Sequence, residues 1–215
     1  MKNTIFYGLL ITIGTVSMMQ AGEYTGRKLP EASSHSDTVK IKETFNENDP
    51  ETGNESVKDR LKPIRTNFKR INSIRTWTTV KKRDIEGESA EGGEAVFYEQ
   101  KGKLEKITAR LYGEMGQLLT EYYLLNGKLS FVFEKHYEYN RPLYYNEKVM
   151  KENNDTEAFD FNQSKITEDR YYFENGKLIH IINSEDCGAP FSRDYISEEQ
   201  KRISEEYGRL LKLKN

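Results

Sequence analysis

The stretch YYLLNGKLSFVF, Tyr122 to Phe133, recurs in altered form as YYFENGKLIHII, Tyr171 to Ile182, and a shorter copy, FYEQKGKL, stands at Phe97 to Leu104. Asn-Gly between apolar, β-branched and aromatic residues is a strong short-range signal for a two-residue hairpin. A type I′ turn needs positive φ at both central residues, which Asn and Gly tolerate. Asn126-Gly127 and Asn175-Gly176 fit directly, and Lys101-Gly102 fits with a poorer first residue. A chain that reverses this way three times is committed to an antiparallel sheet.

Side chains alternate between faces along a strand, so pairing around Asn126-Gly127 sets Leu124 opposite Leu129 and Tyr122 opposite Phe131. Phe133 joins these four on one face, while Tyr123, Leu125, Lys128, Ser130 and Val132 take the other. In the last hairpin the core side collects Tyr171, Phe173, Leu178, His180 and Ile182. The stretch LYGEMGQL, Leu111 to Leu118, adds a further turn at Gly116. Leu104 and Leu111 have opposite parity, and only a bulge between them brings both to one side.

The resulting meander has strands near 75–85, 94–100, 103–112, 117–125, 128–138, 166–174 and 177–184. Before it, Val57, Leu61, Ile64, Phe68 and Ile71 recur at steps of four and three, which places them on one helical face. Pro63 either kinks that helix or opens it. After the meander, ISEEQKRISEEYGRLLKL closes the chain as a helix, with Ser197 and Gln200 in capping-box spacing and Ile203, Tyr207, Leu210 and Leu211 on one side. The expected class is α+β: an antiparallel β-meander of six or seven strands with an N-terminal and a C-terminal helix packed on it.

A helix needs about 20 apolar residues to cross a bilayer. The uncharged run from Ile5 to Val16 is shorter, follows one lysine and leads into the small residues Ser17, Ala21 and Gly22. This is the order of a secretory signal, read as residues 1–21. Residues 22–53 are polar, carry Pro30 and Pro50 and lack periodicity, so they read as a tether before a single domain at 54–215. No cysteine near the junction accepts lipid, and the mature chain has no expected transmembrane span. The expected location is periplasmic or extracellular. Cys187 is the one cysteine, so no intramolecular disulfide forms, and nothing basic beside it in NSEDCGAP activates the thiol.

The apolar fraction is 35%, and aromatic residues, 12% of the chain, are expected to carry the core. The formal charge is −2 with acids and bases interspersed, which offers no stripe for nucleic acid.

The blocks EGGE (Glu91 to Glu94), YGEMGQ (Tyr112 to Gln117) and RYYFENGKLI (Arg170 to Ile179) resemble those of secreted, largely uncharacterised Bacteroidetes proteins over roughly Trp77 to Ile182. The turns are more distantly similar to membrane occupation and recognition nexus repeats. The first resemblance implies an exported α+β domain and transfers no catalytic residue. It also makes Asp37-Thr38-Val39 resemble that phylum's O-glycosylation sequon.

His35, His136 and His180 are far apart and lack a second ligand at metal spacing, so neither metal nor cofactor is expected. Glu91, Glu94, Glu185 and Asp186 are the nearest approach to paired carboxylates, and acidic loops explain them as well as a glycan hydrolase does. Two aromatic sets suggest recognition instead. Tyr98, Tyr123 and Tyr172 share one repeat position opposite the leucines, as a ligand lane or as strand residues beneath a helix. The connection 140–165 is longer than ordinary hairpin loops and carries Tyr144 and Tyr145. The sequence thus points to an exported, non-enzymatic domain whose partner is a protein or a glycan.

Overall fold

The computed structural model describes residues 55–184 and 191–214. The expected signal and tether, with His35 and Asp37-Thr38-Val39, lie outside the described residues, as do Glu185, Asp186 and Cys187. Helix α1 (Glu55–Asn72) precedes strands β1 (Thr79–Ile85), β2 (Gly93–Gln100), β3 (Lys103–Tyr112), β4 (Gly116–Leu125) and β5 (Lys128–Glu138). A folded connection with the short helix α2 (Glu147–Glu152) leads to β6 (Lys165–Glu174) and β7 (Lys177–Asn183), and α3 (Arg193–Lys214) follows. The seven strands pair antiparallel in sequence order. The class is the α+β meander with helices at both ends that the hairpins require.

The three related turns are built alike. Lys101, Asn126 and Asn175 have φ of 50°, 53° and 52°, and the glycines after them 74°, 75° and 79°, the double left-handed geometry of a type I′ turn. Each hairpin then carries a bulge at the same place. The register slips between Tyr98 and Glu99, between Tyr123 and Leu124, and between Tyr172 and Phe173. Glu105, Ser130 and Ile179 are left without a partner in the opposite strand.

The bulges correct the expected faces. Leu124 does lie opposite Leu129, but Phe131 pairs with Tyr123, and Tyr122 pairs with Val132. One extra residue exchanges the faces of everything beyond it, so Phe131 leaves the side of Leu129 and joins Tyr123. His180 likewise pairs with Tyr172, and Ile181 takes the core place opposite Tyr171. The bulge at Glu105 also reconciles Leu104 with Leu111, which both pack on one core cluster.

Each face of the sheet has its own helix. Beneath α3, Phe97, Ile107, Tyr122, Val132, Tyr171 and Ile181 pack with Ile203 and Leu210, and Tyr207 stacks on Tyr122 at 5.9 Å. On the other face, α1 buries Leu61, Ile64, Phe68 and Ile71, and the Phe68 ring meets Tyr123 at 4.7 Å and Phe131 at 5.3 Å. Each such buried side chain contributes about 1.5–3 kcal/mol. Pro63 lies inside α1 on its exposed side and does not end it.

Helix α3 starts one turn earlier than its capping-box spacing suggests. Ser192 Oγ accepts from Tyr195 N at 3.1 Å, which serves the cap that Ser197 was expected to supply. Gln200 is thereby released from any capping role, and its Oε1 accepts from Leu178 N of the edge strand at 2.9 Å.

Candidate functional site

In a sequential meander alternate connections emerge at opposite ends. The β3–β4 turn and the β5–β6 connection share one end, and the three type I′ turns share the other. The β5–β6 connection is folded back on the first of these ends. Tyr139 N donates to Met115 O and Leu143 N to Glu114 O, both at 2.8 Å, tying the connection to the β3–β4 turn. Asn140 clamps its return: Nδ2 donates to Glu157 Oε1 at 2.9 Å and Ala158 O at 3.0 Å, and Oδ1 accepts from Asp160 N at 3.0 Å. Asn146 caps α2 through bonds from Lys148 N and Val149 N. Buried Tyr139 packs edge-on to Phe159 at 5.2 Å, and Phe161 stacks on Tyr137 at 5.5 Å.

Tyr144 is 55% exposed at this end. Tyr145 is half-buried, with its hydroxyl 3.1 Å from Asp155 Oδ2, and Asp155 is itself held by Arg141. Tyr145 therefore fastens the loop, while Tyr144 is available to a ligand. Phe161, Ile166 and Met115 are exposed at the same end of the sheet. Of the five large apolar residues that stand out as exposed among the described residues, these three and Tyr144 sit at this end, and Val80 does not.

The tyrosine lane requires a correction. Tyr98, Tyr123 and Tyr172 do occupy equivalent positions, each directly before a bulge, on the face away from α3. Tyr123 and Tyr172, however, are fully buried: Phe68 of α1 packs on Tyr123 and Phe131, and Phe131 packs on Tyr172. Tyr98 lies half-buried against Trp77 at 5.3 Å. The fold presents no continuous lane of exposed tyrosines.

A second constellation, not singled out from the sequence, locks α3 to the sheet. Arg202 Nη1 and Nη2 each donate to one Glu134 oxygen at 3.0 Å, Nη2 also donates to Glu199 at 2.7 Å, and Nη1 to Glu206 at 3.2 Å. Tyr171 and Tyr122 hydroxyls complete the network. His136 Nε2 stands 3.9 Å from Glu134 Oε2 and 4.0 Å from Asp169 Oδ2. The signal for it was the i, i+2 pair Glu134 and His136 on one strand face together with Glu199, Arg202 and Glu206 at helical spacing. Glu134, His136 and Asp169 bring ligand-type atoms within 4.8 Å of one another. Both Glu134 oxygens already accept from Arg202, so the group serves as a charge lock between sheet and helix.

Electrostatics follow from one guanidinium facing three carboxylates, with His136 and Asp169 beside Glu134. Burial opposes the Arg202 charge, but the hydrogen bonds to Glu199 and Glu134 outweigh it and hold the guanidinium firmly protonated. Burial would likewise raise Glu134, yet His136 and Arg202 bring it below the usual carboxylate range. Burial raises Asp169 and Glu206 despite His136 and Arg202 respectively. The Glu134 carboxylate raises His136 above its ordinary 6.5. A raised histidine contributes stability that is complete below about pH 6.5 and is lost as pH climbs through its folded-state value. Raised carboxylates act in the same direction, since their ionisation weakens the fold as pH rises, whereas the lowered Glu134 adds stability that is lost only in stronger acid. The domain should therefore melt higher near pH 6 than near pH 8. His136→Asn should flatten the difference, and a profile identical in wild type and variant would remove His136 from the account.

Of the expected carboxylate candidates, Glu94 pairs with Lys82 at 2.5 Å. His180 packs against Tyr172 at 5.5 Å in the α1 layer. No helix among the described residues is long and apolar enough to cross a membrane. Compared with protein-family models, curated proteins and solved structures, the chain matches none.

Proposed function

We infer that the chain is an exported, non-enzymatic binding domain that meets a glycan or protein partner at the aromatic end of its sheet. The gathering of exposed Tyr144, Phe161, Ile166 and Met115 at one end of the sheet, where the long connection is held by its own hydrogen bonds, carries this reading. Rigid aromatic side chains with apolar neighbours and a polar surround make effective contacts, because they lose little entropy on binding. Export rests on the charge, apolar run and small-residue order at residues 1–22. The non-enzymatic reading is supported by Glu94, whose carboxylate is taken up in an ion pair with Lys82 on the neighbouring strand.

A glycan array and a pulldown with the purified protein test the assignment. Tyr144→Ala combined with Phe161→Ala should weaken any captured partner about 30-fold, the effect of losing roughly 2 kcal/mol at an interface centre. Both side chains are more than two-fifths exposed, so the melting temperature should change little. Unchanged binding in the double variant would remove the aromatic end from the proposal. Hydrolysis across a polysaccharide panel that disappears on Glu94→Gln would replace binding with catalysis.

A further inference from the structure

The opposite end of the sheet is built from basic residues, and we propose that it is a second binding surface, one that takes a linear acidic polysaccharide of the polyuronate class. Each type I′ turn places lysine directly after its left-handed glycine, at Lys103, Lys128 and Lys177, and Lys101 adds another. All four are exposed. Because the connections of a sequential meander alternate, the three turns fall in one row. Neighbouring turns are two strand spacings apart, about 10 Å.

Helix α1 is laid across this same row by three anchors in order. Arg60 bonds Glu174 at the β6–β7 turn, Asn67 Nδ2 donates to Leu124 O at the β4–β5 turn at 2.9 Å, and Arg70 pairs with Glu105 beyond the β2–β3 turn. Between Ser56 and Asn72 the helix carries six bases and one acid, Asp59. Lys62 and Arg70 line a shallow groove of about 460 Å³ that runs between the helix and Leu125. Lys58, Lys62 and Lys69 are exposed and, like the turn lysines, have no ion pair among the described residues. Glu99, Glu105 and Glu174, the acids that adjoin the turns, are already occupied by Lys214, Arg70 and Arg60. A chain of net charge −2 thus concentrates unpaired positive charge along one rim.

Charge complementarity calls for an anion, and the shape of the rim selects its class. A row of flexible point charges at regular spacing suits a polymer with repeating carboxylates. Met115, Tyr144, Phe161 and Ile166 are all at the other end, leaving Val80 on the edge strand as the one prominently exposed large apolar residue near the rim among the described residues, too little to enter a bilayer. Trp77 adjoins the first turn, where Lys101 N donates to Thr78 Oγ1 at 3.1 Å. Half-buried against Tyr98, it gives a ring for a sugar face to lie on.

Binding to polygalacturonate, with neutral dextran, duplex DNA and phosphatidylglycerol vesicles as comparators, tests the proposal. Wild type should bind polygalacturonate and lose most of that affinity between about 50 and about 300 mM NaCl. Lys62→Gln, Lys128→Gln and Lys177→Gln together should weaken binding about tenfold or more, while arginine at the same three positions should retain it. Glutamine at Arg83, Lys148 and Lys151, an equal charge loss elsewhere, should leave it intact, and melting curves should overlay for all variants. Salt-insensitive or absent binding in wild type, equal binding by the glutamine rim variant, or tighter capture of DNA or vesicles would overturn the proposal. Tyr144→Ala with Phe161→Ala should leave polygalacturonate binding untouched, so the two ends of the sheet stand or fall separately.

Discussion

Replacing Arg202 with leucine should lower the stability of the domain by about 3 kcal/mol, the lower part of the range for breaking a buried ion pair. The lower part applies because the Arg202 side chain is 34% exposed whereas Glu134 is 2% exposed. Removing the guanidinium leaves Glu134 buried without its partner, beside Glu206 and Asp169, whose ionisation burial already disfavours. Glu134 then has to take up a proton to remain inside, so the deficit should grow as pH rises. For a domain of this size, about 3 kcal/mol corresponds to a fall of about 6–12 °C in Tm. Adding Glu134→Gln to Arg202→Leu should recover much of the loss, because a neutral amide avoids the cost of an uncompensated charge. Urea denaturation at pH 6 and pH 8 measures both effects. A loss below about 1 kcal/mol would show that the network does not clamp α3 to the sheet.

How far the sequence discloses such features depends on how local their physics is. The turns at Asn126 and Asn175 were legible because positive φ at two successive residues is a local demand that Asn-Gly meets, and the strand limits followed to within a few residues. Helix α1 was legible from its stripe of Leu61, Ile64, Phe68 and Ile71. The bulges were not, because each face of the sheet is covered by a helix. When both faces are apolar, as in Leu129, Phe131, Val132 and Phe133, alternation no longer reports which side a residue occupies. The parity conflict between Leu104 and Leu111 was the one trace that a bulge left. The start of α3 was misjudged because Ser192 and Ser197 both offer a cap, and local spacing does not choose between them. The Arg202 network and the basic rim depend on tertiary adjacency: their charges are dispersed among acids along the chain, and strand order and helix docking bring them together. The aromatic loop was legible in outline from its length and rings. The division of labour between Tyr144 and Tyr145 was not, since it turns on the position of Asp155.

Tyr123→Ala should cost about 3–5 kcal/mol, the range for truncating a fully buried aromatic residue. Its ring fills the space among Phe68, Phe131 and the Lys106 ammonium, which sits 4.9 Å above it. Its hydroxyl is 2.6 Å from Glu121 Oε2 and accepts from Lys106 Nζ at 3.1 Å. Tyr123→Phe keeps the packing and loses the hydroxyl, so it should cost about 1 kcal/mol; Glu121 still retains Lys106 at 2.6 Å. Tyr172→Ala should resemble Tyr123→Ala, while Tyr98→Ala, at a half-buried position outside the α1 contact, should cost about 1–2 kcal/mol. This gradient separates a structural lane from a recognition lane on the same three residues. If α1 docks on Tyr123 and Tyr172, their truncation lowers Tm and loosens the helix, which amide exchange in α1 reports directly. Were the lane a binding surface instead, Tyr123→Ala would melt like wild type and lose only its partner. The apolar stripe of α1 would then have no sheet surface to bury it, and the bulges directly after Tyr98, Tyr123 and Tyr172 would no longer explain why this face of the meander is closed.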